Sequence, residues 1–406
     1  MDDFRIVVAG HVDHGKSTII GRLLCDTGSL PQHMMDKFER AGTSNDTAAF
    51  AFVTDQLSEE QEGSFTLDTA QAHFRTARRD YTLIDTPGHR EFLKNMVTGA
   101  TRADAAILVL DANEGPLPQT YLHAYLISML GIGQVILAIN KMDLVSYDRH
   151  RFHVLSQQLS SHLERIGITP RAAIPVSAQQ GDHIARKSDR MPWNLTSTLV
   201  EAMDELVPQE QNGHQPLRFL VQCPFPANNR RAILGRVTSG RLNQGQTIVF
   251  GPGGHETSVT SVLLGQQEVG MATPGQSVGL LLEEPNPVKR GHVGFNVESA
   301  PLVTDRLSTR VFWIGPRSLE ANGRIEVLCG TQSHRGCVER IAKVIDPISL
   351  ETIGTEVAGL NDFQVGEIVV RTESPMCIDP FDILPELGRL AILQDGRIAG
   401  GGVIAR

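Results

Sequence analysis

Short apolar runs alternate with helically spaced apolar positions through the first half of the chain. Phe4-Arg5-Ile6-Val7-Val8-Ala9 reads as a buried strand, and Ile19 to Cys25 sets apolar residues at helical spacing. A strand running through Phe74 and another over Tyr81-Thr82-Leu83-Ile84 come next. Arg90 to Ala100 predicts a helix, Ala105 to Asp111 a buried strand, Gln119 to Gly131 a helix and Val135 to Ile139 a strand. A helix over Arg149 to Ile166, a strand over Ala172 to Val176 and a helix over Leu195 to Leu206 complete the series. The alternation predicts an α/β domain whose mostly parallel sheet carries helices on both faces. Ligands of such sheets sit at the carboxyl ends of the strands. Between Gly28 and Glu62 the periodicity fades into polar and small residues, as in segments that are either disordered or functional.

The pattern changes after residue 207. Residues 208–216 are rich in Pro, Gln, Glu, Asn, Gly and His and read as a linker. Beyond them come short alternating segments punctuated by glycine and proline, among them Arg218 to Gln222, Ile233 to Thr238, Thr247 to Phe250, Thr257 to Val262 and Ser277 to Leu282. Such spacing predicts a small β-barrel over 217–299. A break near Glu298-Ser299-Ala300-Pro301 introduces a second barrel over 300–406, with strands such as Thr309 to Trp313, Arg324 to Cys329 and Arg397 to Ile404. A length of 406 residues suits this division, because a single core stops growing before that size.

Composition narrows the class. The net charge is −9 without a basic block, which argues mildly against a dedicated nucleic-acid binder. Five scattered cysteines without a Cys-x-x-Cys read as reduced thiols in the cytosol. No apolar run nears the ~20 residues of a membrane span, and the first strand starts too early for a signal peptide. These features point to a cytoplasmic protein with no membrane partner.

The chemistry lies at the strand ends. Gly10-His11-Val12-Asp13-His14-Gly15-Lys16-Ser17-Thr18 fits Gly-x-x-x-x-Gly-Lys-Ser between a strand and a helix, which makes it a phosphate cradle. Gly10 and Gly15 let backbone N–H groups turn toward an anion, and the helix N-terminus adds its own donors. Lys16 is expected to reach the outer phosphates and Ser17 to ligate Mg²⁺. Asp13 either ligates a cation or holds the loop's shape, and His11 and His14 are expected as surface imidazoles. Asp85-Thr86-Pro87-Gly88 follows a strand and suits the sensing of a terminal phosphate. Asp85 can hold Mg²⁺ through a water, and the Gly88 N–H can bond the γ-phosphate. His89 is placed to orient an attacking water, or is a loop histidine in solvent. Thr66 is a candidate second Mg²⁺ ligand, or an ordinary strand threonine. Asn140-Lys141-Met142-Asp143 reads a base. An ionised Asp143 accepts from the adjacent N1–H and amine of guanine, a donor pair that adenine lacks. Asn140 can brace the loop, the Lys141 stem can cover the base face, and the Ala178 N–H of Ser177-Ala178 can meet the guanine carbonyl. Trp193 reads as packing. GTP or GDP with Mg²⁺ is therefore the expected ligand.

Together these motifs resemble the translational GTPase superfamily, in the three-domain layout of elongation factor Tu and over essentially the whole chain. Further stretches look closer to the large GTPase subunit of bacterial sulfate adenylyltransferase. They include Phe50-Ala51-Phe52-Val53, His89 to Met96, Arg190-Met191-Pro192-Trp193, Lys343-Val344-Ile345-Asp346, Glu386 to Arg389 and Ala399 to Gly402. That resemblance implies a GTPase subunit driving adenylyl sulfate formation with a small adenylyltransferase subunit in a hetero-oligomer. The alternatives are an elongation factor delivering aminoacyl-tRNA to the ribosome, a specialised paralogue in another sulfur pathway, or a GTP-bound scaffold that barely hydrolyses. Two departures stand out. Sulfate-activation members read Val-Asp-Asp-Gly-Lys-Ser where this chain has His14, as elongation factors do, and Phe65 replaces an isoleucine of the family's apolar gate.

Overall fold

The computed structural model describes residues 4–30, 71–85, 103–195, 197–208, 215–227, 230–285 and 287–405. The chain forms two compact units, residues 1–209 and 210–406. Strands β1 (Phe4–Gly10), β2 (Gln71–Arg75), β3 (Asp80–Asp85), β4 (Ala105–Asp111), β5 (Val135–Asn140) and β6 (Ala172–Pro175) build one sheet in the first unit. Their order is β2-β3-β1-β4-β5-β6. Four neighbouring pairs run parallel, and β2 alone runs antiparallel, against β3.

Helices α1 (Lys16–Asp26), α2 (Pro118–Met129), α3 (Arg149–Arg165) and α4 (Leu199–Asp204) cover the sheet. β4 and β5 are buried at every position, which a strand achieves only between two covered faces. One set of alternate residues, Ile6, Val8, Ile107, Val109, Ile136 and Ala138, shares a core with Ile19, Ile20 and Leu23 of α1 and Leu199, Ala202 and Met203 of α4. The opposite set, including Val7, Leu108 and Leu137, is equally buried. It faces α2 and α3, which pack on β1, β4 and β5. The expected α/β architecture with helices on both faces is what the structure holds.

Two helix starts differ from the pattern read off apolar spacing, and both shifts have local causes. α1 begins at Lys16 because Gly15, at φ 87°, turns the chain into the helix before the first apolar position. The last helix begins at Leu199 instead of 195. There the Thr198 Oγ1 accepts the Glu201 N–H while the Glu201 carboxylate accepts the Thr198 N–H. This reciprocal cap fixes the first turn, and Thr198-x-x-Glu201 was its sequence signature. The predicted helix 90–100 and the aperiodic stretch from residue 31 to 62 lie outside the described residues.

In the second unit, strands Arg218–Ala227, Arg230–Ser239, Thr247–Gly251, His255–Leu264, Ser277–Leu282 and Val293–Phe295 form an antiparallel sheet. Thr247–Gly251 pairs on one side with His255–Leu264 and on the other with Val293–Phe295, which closes a six-stranded barrel. Strands Leu302–Trp313, Arg324–Cys329, Gln332–Ile345, Val365–Ile378, Arg389–Gln394 and Arg397–Ile404 do the same, closed where Arg324–Cys329 meets Gln332–Ile345. Several strands run longer than expected. Leu302–Trp313, for instance, starts in exposed residues whose pairing continues without apolar alternation.

The barrels share apolar packing: Leu220, Val249, Val293 and Phe295 of the first belong to the core of the second. Beside that contact lies a buried ion pair. Arg218 Nε and Nη2 donate to the two Asp379 carboxylate oxygens at 2.7 and 2.9 Å, and Nη1 donates to the Leu217 and Ser299 carbonyls at 2.8 Å each. The arginine side chain is only 2% exposed and the aspartate 9%. A bidentate pair whose guanidinium also bonds two backbone carbonyls meets the conditions under which buried charge is tolerated. Removing one partner strands the other, so Asp379→Ala should destabilise the second unit by about 3–5 kcal/mol. A urea titration of the full chain measures this, and an unchanged second-unit transition would contradict it.

Candidate functional site

The phosphate loop follows β1 and is shaped by what lies beneath it. Gly10 sits at φ 148°, and a Cβ there would come within 2.4 Å of the Val109 carbonyl oxygen. Its N–H donates to Nδ1 of the buried His123 on α2 at 3.0 Å. Gly15 is needed for two reasons: its φ is 87°, and a Cβ would stand 2.4 Å from Asn140 Nδ2. A side chain at either position would fill the cradle or push it off the sheet. Asp13 is exposed and holds a left-handed φ of 67°, which aspartate tolerates better than most residues.

Lys16 Nζ lies across the loop and donates to the Gly10 and His11 carbonyls at 3.0 Å each. Burial lowers its pKa, and Asp85 and Asp13 oppose that shift. Ser17 Oγ donates to Asp85 Oδ2 at 3.2 Å, bringing together two of the three groups read from sequence as Mg²⁺ holders. A hydroxyl beside a carboxylate, next to a lysine and a helix N-terminus, is a hard-oxygen donor set that fits Mg²⁺ accompanied by phosphate. Thr18 is buried in the first turn of α1.

The two loop histidines are not surface imidazoles. His14 is fully buried, with Nδ1 3.3 Å from the Val109 carbonyl oxygen and Nε2 3.6 Å from a Glu114 carboxylate oxygen. Its backbone must lie against β4 for the loop to close, and the ring goes inward with it. Burial lowers its pKa. His11 is half-buried, paired through Nδ1 with Gln119 Oε1 and packed edge-on to His14, with ring centroids 5.2 Å apart. Val12 is exposed.

The base-reading motif follows β5. Gly15, Thr18, Asn140, Lys141, Asp143, Leu144, Ala178 and Gln179 line a pocket of about 220 Å³. Asn140 is buried at its rim, where Nδ2 donates to the His14 carbonyl and Oδ1 accepts the Ala178 N–H, both at 3.0 Å. The Ala178 N–H, read from sequence as a donor to a guanine carbonyl, is engaged here by the Asn140 amide oxygen. A buried amide oxygen needs a donor, and this N–H supplies it. Asp143 Oδ1 accepts from Ser177 Oγ at 2.5 Å. Lys141, at φ 61°, lines the pocket and places Nζ 2.7 Å from Asp111 Oδ2. Gly88, His89 and Thr66 lie outside the described residues.

Sequence reasoning missed several supporting groups. Asp111 ends β4, a position that could have flagged it, whereas His123 sits in an apolar helix and carried no signal. Behind the pocket, Tyr147 Oη donates to Asp182 Oδ2 at 2.8 Å, and Trp193 Nε1 donates to the Tyr147 carbonyl at 3.0 Å. Trp193 also stacks at a tilt on Phe152, so it packs as expected. Arg22 of α1 lies against Gly181, where a Cβ would come within 2.1 Å of its guanidinium.

Residues 2–209 match the model of the elongation factor Tu GTP binding domain, and residues 306–405 match that of the GTP-eEF1A C-terminal domain-like family. Elongation factor 1-alpha of Thermococcus onnurineus is 36% identical over 412 residues, covering 98% of this chain and 96% of the relative. That of Pyrococcus furiosus is 35% identical over 415 residues, with the same coverage. The chain belongs to the elongation factor Tu-like GTPases. A solved structure of sup35 complexed with GDP spans the whole chain and 94% of its own, but at 21% identity and a TM-score of 0.47 it carries no argument.

Membership makes this a GTP-binding protein, in agreement with the cradle and the pocket. The relatives are elongation factors, and they favour that reading over the sulfate-activating one. Among the described residues no helix is long and apolar enough to cross a membrane, and all five cysteines are free thiols.

The neutral rings of this GTPase make its stability pH-dependent. Burial holds His14, His162 and His183 below the ordinary histidine value of 6.5. Below that pH the unfolded chain takes up protons that the folded chain resists, so stability is lost as pH falls through 6.5. The urea midpoint of the first unit should be level from pH 8 to 7 and drop toward pH 5.5, with a smaller drop in His14→Gln. A midpoint that rises on acidification would contradict this.

Proposed function

We propose that the chain is a GTPase of translation, an elongation factor of the 1-alpha kind that delivers aminoacyl-tRNA to the ribosome. The observation that carries this reading is the single alignment with elongation factor 1-alpha through 98% of the chain, barrels included. A match confined to the GTP-binding part would have supported any member of the family. The sulfate-activating reading, with its small adenylyltransferase partner, has no comparable support.

In this reading Gly10 to Thr18 cradles the phosphates, with Lys16 leaving the Gly10 and His11 carbonyls for the outer phosphate oxygens. Ser17, Asp85 and Thr66 would hold Mg²⁺, which neutralises charge on the β- and γ-phosphates. Gly88 would sense the γ-phosphate through its N–H, so that hydrolysis releases the loop. His89 would orient the attacking water. Asn140 braces the pocket, the Lys141 stem covers the base, and the Asp143 carboxylate accepts from guanine N1–H and the 2-amino group. Ser177 steadies that carboxylate, and Ala178 lines the pocket.

Alone, the protein should hydrolyse GTP at ~10⁻⁴–10⁻² s⁻¹, as GTPases lacking an activator do. Ribosomes with aminoacyl-tRNA should raise that rate at least a hundredfold. His89→Ala should lose the stimulation while binding GTP nearly as the parent does. Turnover that responds to a small adenylyltransferase with ATP and sulfate, and not to ribosomes, would defeat the proposal. A second measurement addresses the base. Asp143→Asn turns one acceptor into a donor facing the guanine amine, whereas xanthine offers a carbonyl there. The mutant should bind GTP far more weakly, by up to roughly 10⁴-fold, and xanthosine triphosphate better than the parent does. Parallel titrations decide it, and an unchanged preference for GTP would remove Asp143 as the base reader.

A further inference from the structure

We propose that Asp111 is a positioning residue of the base pocket and acts through Lys141, an inference that rests on the guanine-nucleotide reading above. Asp111 ends β4 directly opposite Asn140 in the parallel register with β5. The Ala112 N–H donates to the Asn140 carbonyl at 2.8 Å, so the two strand ends are tied before any side chain is considered. The Asp111 carboxylate is 2% exposed. Its Oδ1 accepts the N–H groups of Asn113 and Glu114 at 2.7 and 3.3 Å, and its Oδ2 takes the Lys141 ammonium at 2.7 Å.

Each member of the pair needs the other. A carboxylate this buried is tolerated only when paired and hydrogen-bonded. Lys141 holds a left-handed backbone, uncommon for a residue other than glycine, and lines the pocket together with Asp143 and Ala178. A free lysine stem samples many rotamers, and nucleotide binding would have to freeze it. With its ammonium tied to Asp111, the stem is laid along the pocket in advance, and that ordering cost no longer opposes binding. The competing account gives Asp111 only the task of capping the turn at 111–114. Under it, changes at Asp111 and Lys141 act independently.

A four-protein cycle separates the two accounts. Asp111→Asn keeps the acceptor that caps Asn113 and Glu114 but turns an amide NH₂ toward the Lys141 ammonium. Lys141→Met keeps the stem and removes the charge. By calorimetric titration with GDP, each single variant should lose about tenfold in affinity, the scale of one charge-assisted hydrogen bond. The double variant should bind no more weakly than the weaker single. Lys141→Arg keeps charge and reach, and should restore most of the affinity. Additive losses, or an Asp111→Asn protein that binds GDP like the parent, would overturn the proposal. If Asp111→Asn does not fold, the lysine variants decide. Weak binding by Met with near-parental binding by Arg supports the proposal, and near-parental binding by Met overturns it. A parent that binds no GDP would sink the nucleotide reading itself. The Asp111–Lys141 tie is then read from unfolding midpoints, where Lys141→Met should be less stable than the double variant; equal or higher stability would overturn it.

Discussion

The site depends on one buried amide. Asn140 emerges from the end of β5 and spends its donor on the His14 carbonyl of the phosphate loop and its acceptor on the Ala178 N–H of the loop after β6. Three loops leave three strands, and nothing in a parallel sheet fixes their relative height. A two-sided hydrogen bond from a buried side chain does, because breaking either half leaves a polar group without water. The glycine at position 15 is the sterically required partner of this arrangement, since the amide occupies the space a Cβ would take. Phosphate cradle and base pocket are thus held at one spacing, which a nucleotide spanning both requires.

Around that amide the charges are arranged in two tiers. At the phosphate loop, Lys16 and Ser17 open the first turn of α1, and Ser17 meets Asp85 from the end of β3. One layer down, Asp111 and Glu114 sit beside Lys141 and His14. Groups of the first tier are the ones a ligand can recruit. In the second, Asp111 and His14 are shut from water while Lys141 and Glu114 reach toward it, and together they hold the shape of the loops.

Much of this was legible in the sequence because it is local. A buried strand, a glycine turn and a helix start are written in consecutive residues, and so the six strands among the described residues of the first unit and the placement of motifs at their carboxyl ends could be read directly. Contacts between distant segments were not. Whether His14 points outward depends on how closely its loop lies on β4, which no neighbouring residue states. The partner of the Ala178 N–H depends on a side chain 38 residues away. Asp111 looked like the end of an apolar run, and its importance appears only once β5 is laid beside it. The proposed role in translation rests on chain-long similarity, since the short motifs are common to many GTPases.

The paired barrels carry a different lesson. Composition divides them near residue 300, yet apolar residues of the first complete the core of the second, and Arg218 finds its counter-ion at Asp379 across the join. A gene cut at that seam would encode two fragments, each with an exposed apolar surface, one also with an unpaired guanidinium and the other with an unpaired carboxylate. Substitutions on one side therefore have to be accommodated on the other, and the pair is expected to diverge and recombine as one inherited block.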